Sequence, residues 1–199
     1  MAADWAQLRQ HGSPRLFQGN ENDGDQAMNQ TSHNSTDASL AILHEIGRSF
    51  GCIPNLFQAY AKHPPLLQAN WNKVKQLLLN GKMARLPKEV IALLVSHDNG
   101  CSYCIAAHSA ALKSMGVGER QIEEMIQGNL APHLHKRDIE LVLFARKANQ
   151  RHHDIDKDEI DRLVSSGYTE AEIVEALGVM ELFAGFNRFA RAMKIEVDF

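Results

Sequence analysis

Apolar side chains recur every three or four positions over most of the chain after residue 37, which is the spacing of amphipathic helices. Pro, Gly and Asn-Gly interrupt these series where helices would begin or end. The clearest helix starts are Pro54, Pro64-Pro65, Pro87, Cys101 and Thr169. No stretch shows the alternation of apolar and polar residues that is typical of a strand. The pattern therefore predicts an all-α protein, a compact helical bundle of about seven or eight helices.

Residues 1–37 do not share this pattern. From about Arg9 to Asp37 the chain is rich in Asn, Gln, Ser, Asp, Gly and His, and its one apolar cluster is Leu16-Phe17. Such a stretch buries too little apolar surface to offset the entropy of ordering it. We predict a flexible polar N-terminal arm over 1–37 and a single all-helical domain over 38–199.

Length and composition are typical of one globular domain, with 199 residues of which 44% are apolar and 23% charged. The net charge is −3, and Lys and Arg form no dense patch, so we expect no nucleic-acid partner. The longest apolar runs, such as Val90 to Val95, are too short to cross a bilayer, and no secretory signal follows Met1. We expect a cytoplasmic protein without a membrane partner.

Three cysteines are present, and two of them form the motif Cys101-Ser102-Tyr103-Cys104. An odd number of cysteines without an export signal argues against a disulfide scaffold and favours catalytic or metal-binding cysteine. By itself the motif is compatible with a redox site or with zinc, for which Glu89, His97 or a partner chain would supply a further ligand. Covalent haem is disfavoured because the residue after Cys104 is not His.

A helix that begins at Cys101 would carry Cys101, Cys104 and His108 on one face, at positions i, i+3 and i+7. Both sulfurs would lie in its first turn, where free N–H groups and the helix dipole favour a thiolate. A thiolate can attack a peroxide, and a second thiol nearby can then close a disulfide. His108 and Glu89, on the preceding predicted helix, are candidates to move the protons.

The segment from Glu89 to His108, EVIALLVSHDNGCSYCIAAH, resembles the active-site signature of the alkylhydroperoxidase D and carboxymuconolactone decarboxylase superfamily. Three further segments are similar to the peroxidase-related branch of that family: GCIPNLF at 51–57, HPPLL at 63–67 and FNR at 186–188. The resemblance extends over roughly residues 45 to 194.

The resemblance implies an all-helical fold, homo-oligomers that are often trimers or hexamers, and a Cys pair that cycles between dithiol and disulfide. It assigns the proton relay to Glu89 and His108, the attacking thiol to Cys104 and the resolving thiol to Cys101. It implies no cofactor or metal; the expected partners are a hydroperoxide and a lipoyl-type or thioredoxin-like dithiol donor. Tyr103 departs from the pattern, because the best-known family members have His at this position.

We therefore predict a thiol-dependent peroxidase or disulfide oxidoreductase. One alternative is cofactor-free acid-base chemistry of the decarboxylase or isomerase kind, carried out by Glu89 and His108. The decarboxylase branch of the family lacks the Cys pair, so retention of both cysteines favours redox chemistry. A second alternative is a non-enzymatic redox-sensing module, in which oxidation of the cysteines changes oligomer packing.

Several neighbouring residues have simpler expected roles. Cys52 is expected to be a small buried apolar residue, because free Cys is among the most buried residue types. His97 and Tyr103 are expected to line the wall of the site. Asn187-Arg188 would close a helix interface or the floor of the pocket, and His152-His153-Asp154 is expected to be a solvated loop and not a metal site.

Overall fold

The computed structural model describes residues 38–199, and the arm predicted for 1–37 lies outside the described residues. All regular secondary structure within 38–199 is helical, which confirms the all-α prediction. The helices are α1 (38–50), α2 (Asn55–Tyr60), α3 (Pro64–Val74), α4 (Arg85–Asp98), α5 (Ser102–Ser114), α6 (Glu119–Ile126), α7 (Lys136–Arg151), α8 (Lys157–Ser165) and α9 (Glu170–Ala192). A π-helical turn at Lys75–Leu79 prolongs α3, and a short 3-10 helix at His152–Asp154 follows α7.

The described residues thus form nine α-helices, slightly more than the seven or eight predicted. The helix starts follow the capping residues seen in the sequence. Thr169 and Glu172 form a capping box at the start of α9, with the Thr169 N–H donating to the Glu172 carboxylate over 2.8 Å. Pro64 and Pro65 occupy the first turn of α3, where a missing N–H costs nothing.

Helix α4 is the centre of the bundle, and it packs against α5, α7 and α9. Every residue from Pro87 to Ser96 is buried, including the charged Lys88 and Glu89. A helix surrounded on all sides loses its solvent face, so its polar residues need partners inside the protein. The two buried charges of α4 find these partners on different neighbours.

The buried Lys88 is paired with Glu175 of α9. Its Nζ lies 2.5 Å from the Glu175 carboxylate and also donates to the Asn80 carbonyl. The same carboxylate accepts the backbone N–H groups of Lys82, over 2.7 Å, and of Met83, over 3.3 Å. The pair therefore fixes the turn that leads into α4 as well as the contact between α4 and α9.

Within 38–199, the helices fall short of the length and apolar character that a bilayer crossing requires.

Candidate active site

The two cysteines of the motif lie at the junction of α4 and α5. Helix α4 ends at Asp98, and Gly100, with a φ of +64°, turns the chain so that Cys101 becomes the N-cap of α5. The backbone N–H of Cys104 donates to the Sγ of Cys101 over 3.4 Å, and the two Sγ atoms are 2.9 Å apart. Both thiols are free and buried, so the site is a reduced dithiol in hydrogen-bond contact.

Side chains from α7 and α9 hold the turn between α4 and α5. Arg146 makes two hydrogen bonds to the Asp98 carboxylate, of 2.6 and 2.7 Å. The Asn99 amide donates to Asn187 over 2.9 Å, and Arg191 donates to the Gly100 carbonyl. These contacts hold the backbone of the turn that carries the cysteines, and none of them involves a cysteine side chain.

Glu89 and His108 form a buried hydrogen-bonded pair. The Glu89 Oε2 lies 2.8 Å from His108 Nδ1, and the side chain of Glu89 is fully enclosed. Arg85, one turn earlier on α4, donates to the other carboxylate oxygen over 2.6 Å. Burial acts to raise the pKa of Glu89, but the hydrogen bond and charge of His108, together with Arg85, outweigh it and hold the pKa below its usual value. Glu89 is therefore an ionised carboxylate that orients the imidazole.

The two thiols differ in acidity. The hydrogen bond between the two sulfurs is the main cause that lowers the pKa of Cys101 to about 6, against the effect of burial; the Cys104 N–H and the charge of Arg191 add to it. The same hydrogen bond, with burial, raises the pKa of Cys104 above its ordinary value. The lowering expected for both sulfurs thus applies to Cys101 alone, since two adjacent thiolates would repel each other.

We expect the first proton of the pair to leave as the pH rises through about 6. Below this pH both thiols are protonated, and above it the pair carries one negative charge. Thiolate absorbance and the rate of alkylation by iodoacetamide, both measured in a Cys52→Ser background, should rise with a midpoint near 6. A midpoint near 9, the ordinary value for Cys, would contradict the hydrogen-bonded arrangement.

A cavity of about 390 Å³ opens beside this site, and Cys104, His108, Glu89 and Arg85 are among the residues that line it. Most of its wall is apolar and aromatic: Phe50, Leu56, Phe57, Val74, Leu78, Tyr103, Phe183, Phe186 and Phe199. The ring of Phe183 stands edge-on to His108, with centroids 4.3 Å apart. Cys101 is not part of the cavity wall, so of the two sulfurs Cys104 is the one that faces the cavity.

The structure corrects two of the simpler expectations. Cys52 is exposed and lies at the rim of the cavity, because the turn at Gly51, with a φ of +80°, carries it outside the core before α2 begins. His97 is exposed near the end of α4 and is not among the residues that line the cavity. Tyr103 does line the cavity, as expected, and Asn187 is buried at the interface of α9 with α4, where it donates to Ser96 over 3.0 Å.

Two polar residues at the site, Arg85 and Arg191, were not predicted as part of it. Arg85 stands four residues before Glu89, a helical spacing at which an ion pair could have been expected. Asn187 was expected at a helix interface or at the floor of the pocket, and its amide lies within hydrogen-bond reach of the Cys104 sulfur. Arg191 carries no local signal, because its partner Gly100 is remote in sequence. Within residues 38–199, no three His, Cys, Asp or Glu side chains cluster as a metal site would require, so geometry adds no support to the zinc alternative.

Comparison with known proteins agrees with this architecture. Residues 65–146 match the model of the carboxymuconolactone decarboxylase family. Over 79 residues, which are 40% of this chain, the sequence is 32% identical to an alkyl hydroperoxide reductase of Mycobacterium tuberculosis. The matched region spans 23% of the length of that protein.

Solved structures show the same fold over most of the chain. A peroxidase-related protein from Silicibacter is 27% identical, with a TM-score of 0.74 over 81% of this chain and 85% of its own. An alkylhydroperoxidase core protein from Ralstonia eutropha is 22% identical, with a TM-score of 0.72 over 81% and 86%. The debrominase Bmp8, solved with 2,3,4-tribromopyrrole, is 19% identical, with a TM-score of 0.68 over 79% and 84%.

The last two likenesses show the fold alone, and the debrominase indicates that this fold serves more than one chemistry. The resemblance predicted from the segment between Glu89 and His108 is nevertheless confirmed: residues 65–146 match the carboxymuconolactone decarboxylase family, and the chain is homologous to alkylhydroperoxidase D-like proteins.

Proposed function

We propose that this protein is a thiol-dependent peroxidase that reduces hydroperoxides through a dithiol-disulfide cycle of Cys101 and Cys104. One observation carries the proposal. The thiol of Cys104, hydrogen-bonded to Cys101, lines the same cavity as the ion-paired Glu89 and His108. This combination supplies a nucleophile, a resolving thiol and a proton relay.

In the first step, the Cys104 sulfur is the nucleophile, and its proton passes across the 2.9 Å contact to the Cys101 thiolate as the sulfur attacks. This sulfur attacks the terminal oxygen of the hydroperoxide, so that an S–O bond forms and the O–O bond breaks. The sulfur is oxidised to a sulfenic acid and the peroxide is reduced to an alkoxide. His108, oriented by Glu89, donates a proton to the alkoxide, which leaves as an alcohol.

In the second step, the Cys101 thiol attacks the sulfenic sulfur of Cys104. An S–S bond forms, and the hydroxide leaves as water with the proton of Cys101. A lipoyl-type or thioredoxin-like dithiol then reduces the disulfide by exchange and becomes a disulfide itself. Its two protons restore Cys104 as a thiol and His108 as the proton donor.

The cavity supports an organic hydroperoxide as the substrate. Its walls include Phe57, Phe183 and Phe186, which gain free energy by covering an apolar group but offer no hydrogen bond to hydrogen peroxide. Arg85, Glu89 and His108 are joined by hydrogen bonds in the cavity wall, and Cys104, one helical turn before His108, would meet the peroxide group beside them.

We further propose that the protein works in the cytoplasm as a homo-oligomer, a trimer or a hexamer. Leu143 and Val174, on the outer faces of α7 and α9, leave 46% and 67% of their surface exposed, as side chains of a subunit interface would in a single protomer.

The proposal is tested by hydroperoxide loss with dihydrolipoamide as the electron donor. The wild type should turn over and should form a Cys101–Cys104 disulfide when the donor is omitted. Glu89→Gln should lower kcat/KM by about 10²- to 10⁴-fold, because the amide cannot hold the charge pair with His108. Glu119→Gln, which removes an exposed carboxylate paired with Lys113, is the matched control and should leave kcat/KM unchanged.

The Glu89–His108 pair is also the observation that favours the second candidate, acid-base chemistry without a redox cycle. A protein that forms no disulfide with peroxide, and that acts on an enolisable lactone with both cysteines replaced by serine, would support that candidate and exclude the peroxidase. A disulfide that forms without turnover, and that changes the oligomeric state in size-exclusion chromatography, would instead support the redox-sensing module.

A further inference from the structure

The chain after α9 returns to the mouth of the cavity. Helix α9 ends at Ala192, and Lys194, with a φ of +51°, turns the backbone out of the helix direction. Residues 194–199, which we call the strap, have no regular secondary structure. They run to the start of α2 and so cross from one wall of the cavity to another.

The strap is fastened to the first turn of α2. Helix α2 begins after Pro54, which has no side-chain group to cap it, so the N–H groups of its first turn need another acceptor. The Asp198 carboxylate accepts the N–H of Asn55 over 2.5 Å, and the Glu196 carbonyl accepts the Asn55 side-chain amide over 3.2 Å. Asp198 thus supplies from a distant part of the chain the cap that α2 lacks locally.

Tyr103, the residue directly before Cys104, meets both of these elements. Its hydroxyl accepts the N–H of Leu56 over 3.2 Å, and its ring packs edge-on against Phe199, with centroids 5.6 Å apart. Burial, with the nearby Asp198 carboxylate as a further cause, raises the pKa of Tyr103 above its ordinary value and keeps the hydroxyl protonated. Tyr103 therefore joins α2 to the strap.

Phe199 stands at the edge of the cavity. Its side chain lines the cavity together with Cys104 and His108, yet 48% of its surface is exposed. A residue that is half in the cavity wall and half in solvent bounds the opening through which a substrate reaches the sulfur.

We propose that the strap is a selectivity element, in which Phe199, held by Tyr103 and by the Asp198–Asn55 contact, limits the size of the hydroperoxide that reaches Cys104. That the natural substrate is a hydroperoxide rests on the proposed peroxidase function. The limit on access to Cys104 is a property of the cavity itself and holds for any molecule that enters it. The filter acts on bulky organic hydroperoxides and leaves hydrogen peroxide unaffected.

The kinetic test compares cumene hydroperoxide with hydrogen peroxide. Phe199→Ala should raise kcat/KM for cumene hydroperoxide relative to hydrogen peroxide by about tenfold, through KM, because the opening widens at one edge. Asp198→Asn, which weakens the cap on α2 but keeps the ring, should change the ratio in the same direction. Val197→Ala is the matched control, since Val197 is exposed in the same segment but is not part of the cavity wall. An unchanged ratio in both variants would overturn the proposal.

A second measurement does not depend on turnover. In a Cys52→Ser background, the Cys101–Cys104 pair is labelled with iodoacetamide and with a bulky N-aryl maleimide. Phe199→Ala should raise the rate for the maleimide about tenfold relative to iodoacetamide. If this ratio changes while the wild type consumes no hydroperoxide, the strap controls access to the cysteines but the proposed peroxidase function is wrong. If turnover is normal and the ratio is unchanged, only the proposed role of the strap is wrong.

Discussion

Replacing Cys104 by serine should abolish hydroperoxide turnover with a dithiol donor, and the variant should form no sulfenic acid on exposure to peroxide. The hydroxyl cannot form a comparable nucleophile at neutral pH, and Cys104 is the sulfur that faces the cavity. In this variant Cys101 remains the N-cap of α5, but its side chain does not line the cavity that the peroxide would enter. Because the change is nearly isosteric, we expect no loss of the fold.

Cys101→Ser distinguishes the attacking thiol from the resolving thiol. In this variant Cys104 should react once, consume about one equivalent of peroxide and stop as a sulfenic acid that dimedone traps. Mass spectrometry of the labelled peptide identifies the sulfur. If dimedone instead labels Cys101 in the Cys104→Ser variant, the assignment of attacking and resolving thiol is reversed. This outcome is a demanding test because the lowered pKa of Cys101 makes it the thiolate of the pair before peroxide binds.

Glu175→Gln should lower the free energy of unfolding by about 3 to 5 kcal/mol, because it leaves the charge of Lys88 buried without a counter-ion. The side chain of Lys88 is 1% exposed and that of Glu175 9%, so water cannot replace the lost carboxylate. The amide oxygen of the substituted Gln is also a weaker acceptor than the carboxylate for the backbone N–H groups of Lys82 and Met83. Urea unfolding followed by circular dichroism measures the change.

The matched control for this variant is Glu181→Gln on the same helix. Glu181 pairs with Lys73 at 3.3 Å, but the two side chains are 71% and 49% exposed. Exposed pairs of this kind contribute about 0 to 1 kcal/mol. Equal destabilisation by the two substitutions would mean that the Lys88–Glu175 pair is hydrated in solution.

Helix positions and the core of the candidate site could be predicted from the sequence because their determinants are local. Cys101 and Thr169 cap the helices that follow them, and the one-turn spacing of Cys104 and His108 on α5 places both in the wall of the cavity. Their catalytic roles stay a prediction, since geometry brings the residues together without showing turnover.

The rest depends on contacts between segments remote in sequence. The exposure of Cys52 follows from where the turn before α2 lies on the domain, which residue type does not determine. The burial of α4 from Pro87 to Ser96 follows from the helices packed around it, so the pattern around Lys88 and Glu89 did not indicate that both charges are enclosed. The contact of Phe199 with Tyr103 likewise needed the fold.

The turn at Gly100 has a consequence for how relatives of this chain can diverge. A side chain at this position would be strained by its positive φ and would meet the Arg191 guanidinium at 2.9 Å, the group that donates to the Gly100 carbonyl. Positions 100 and 191 are 91 residues apart but constrain each other. In an aligned family they should therefore covary, with Arg at 191 retained where 100 is Gly and lost where it is not.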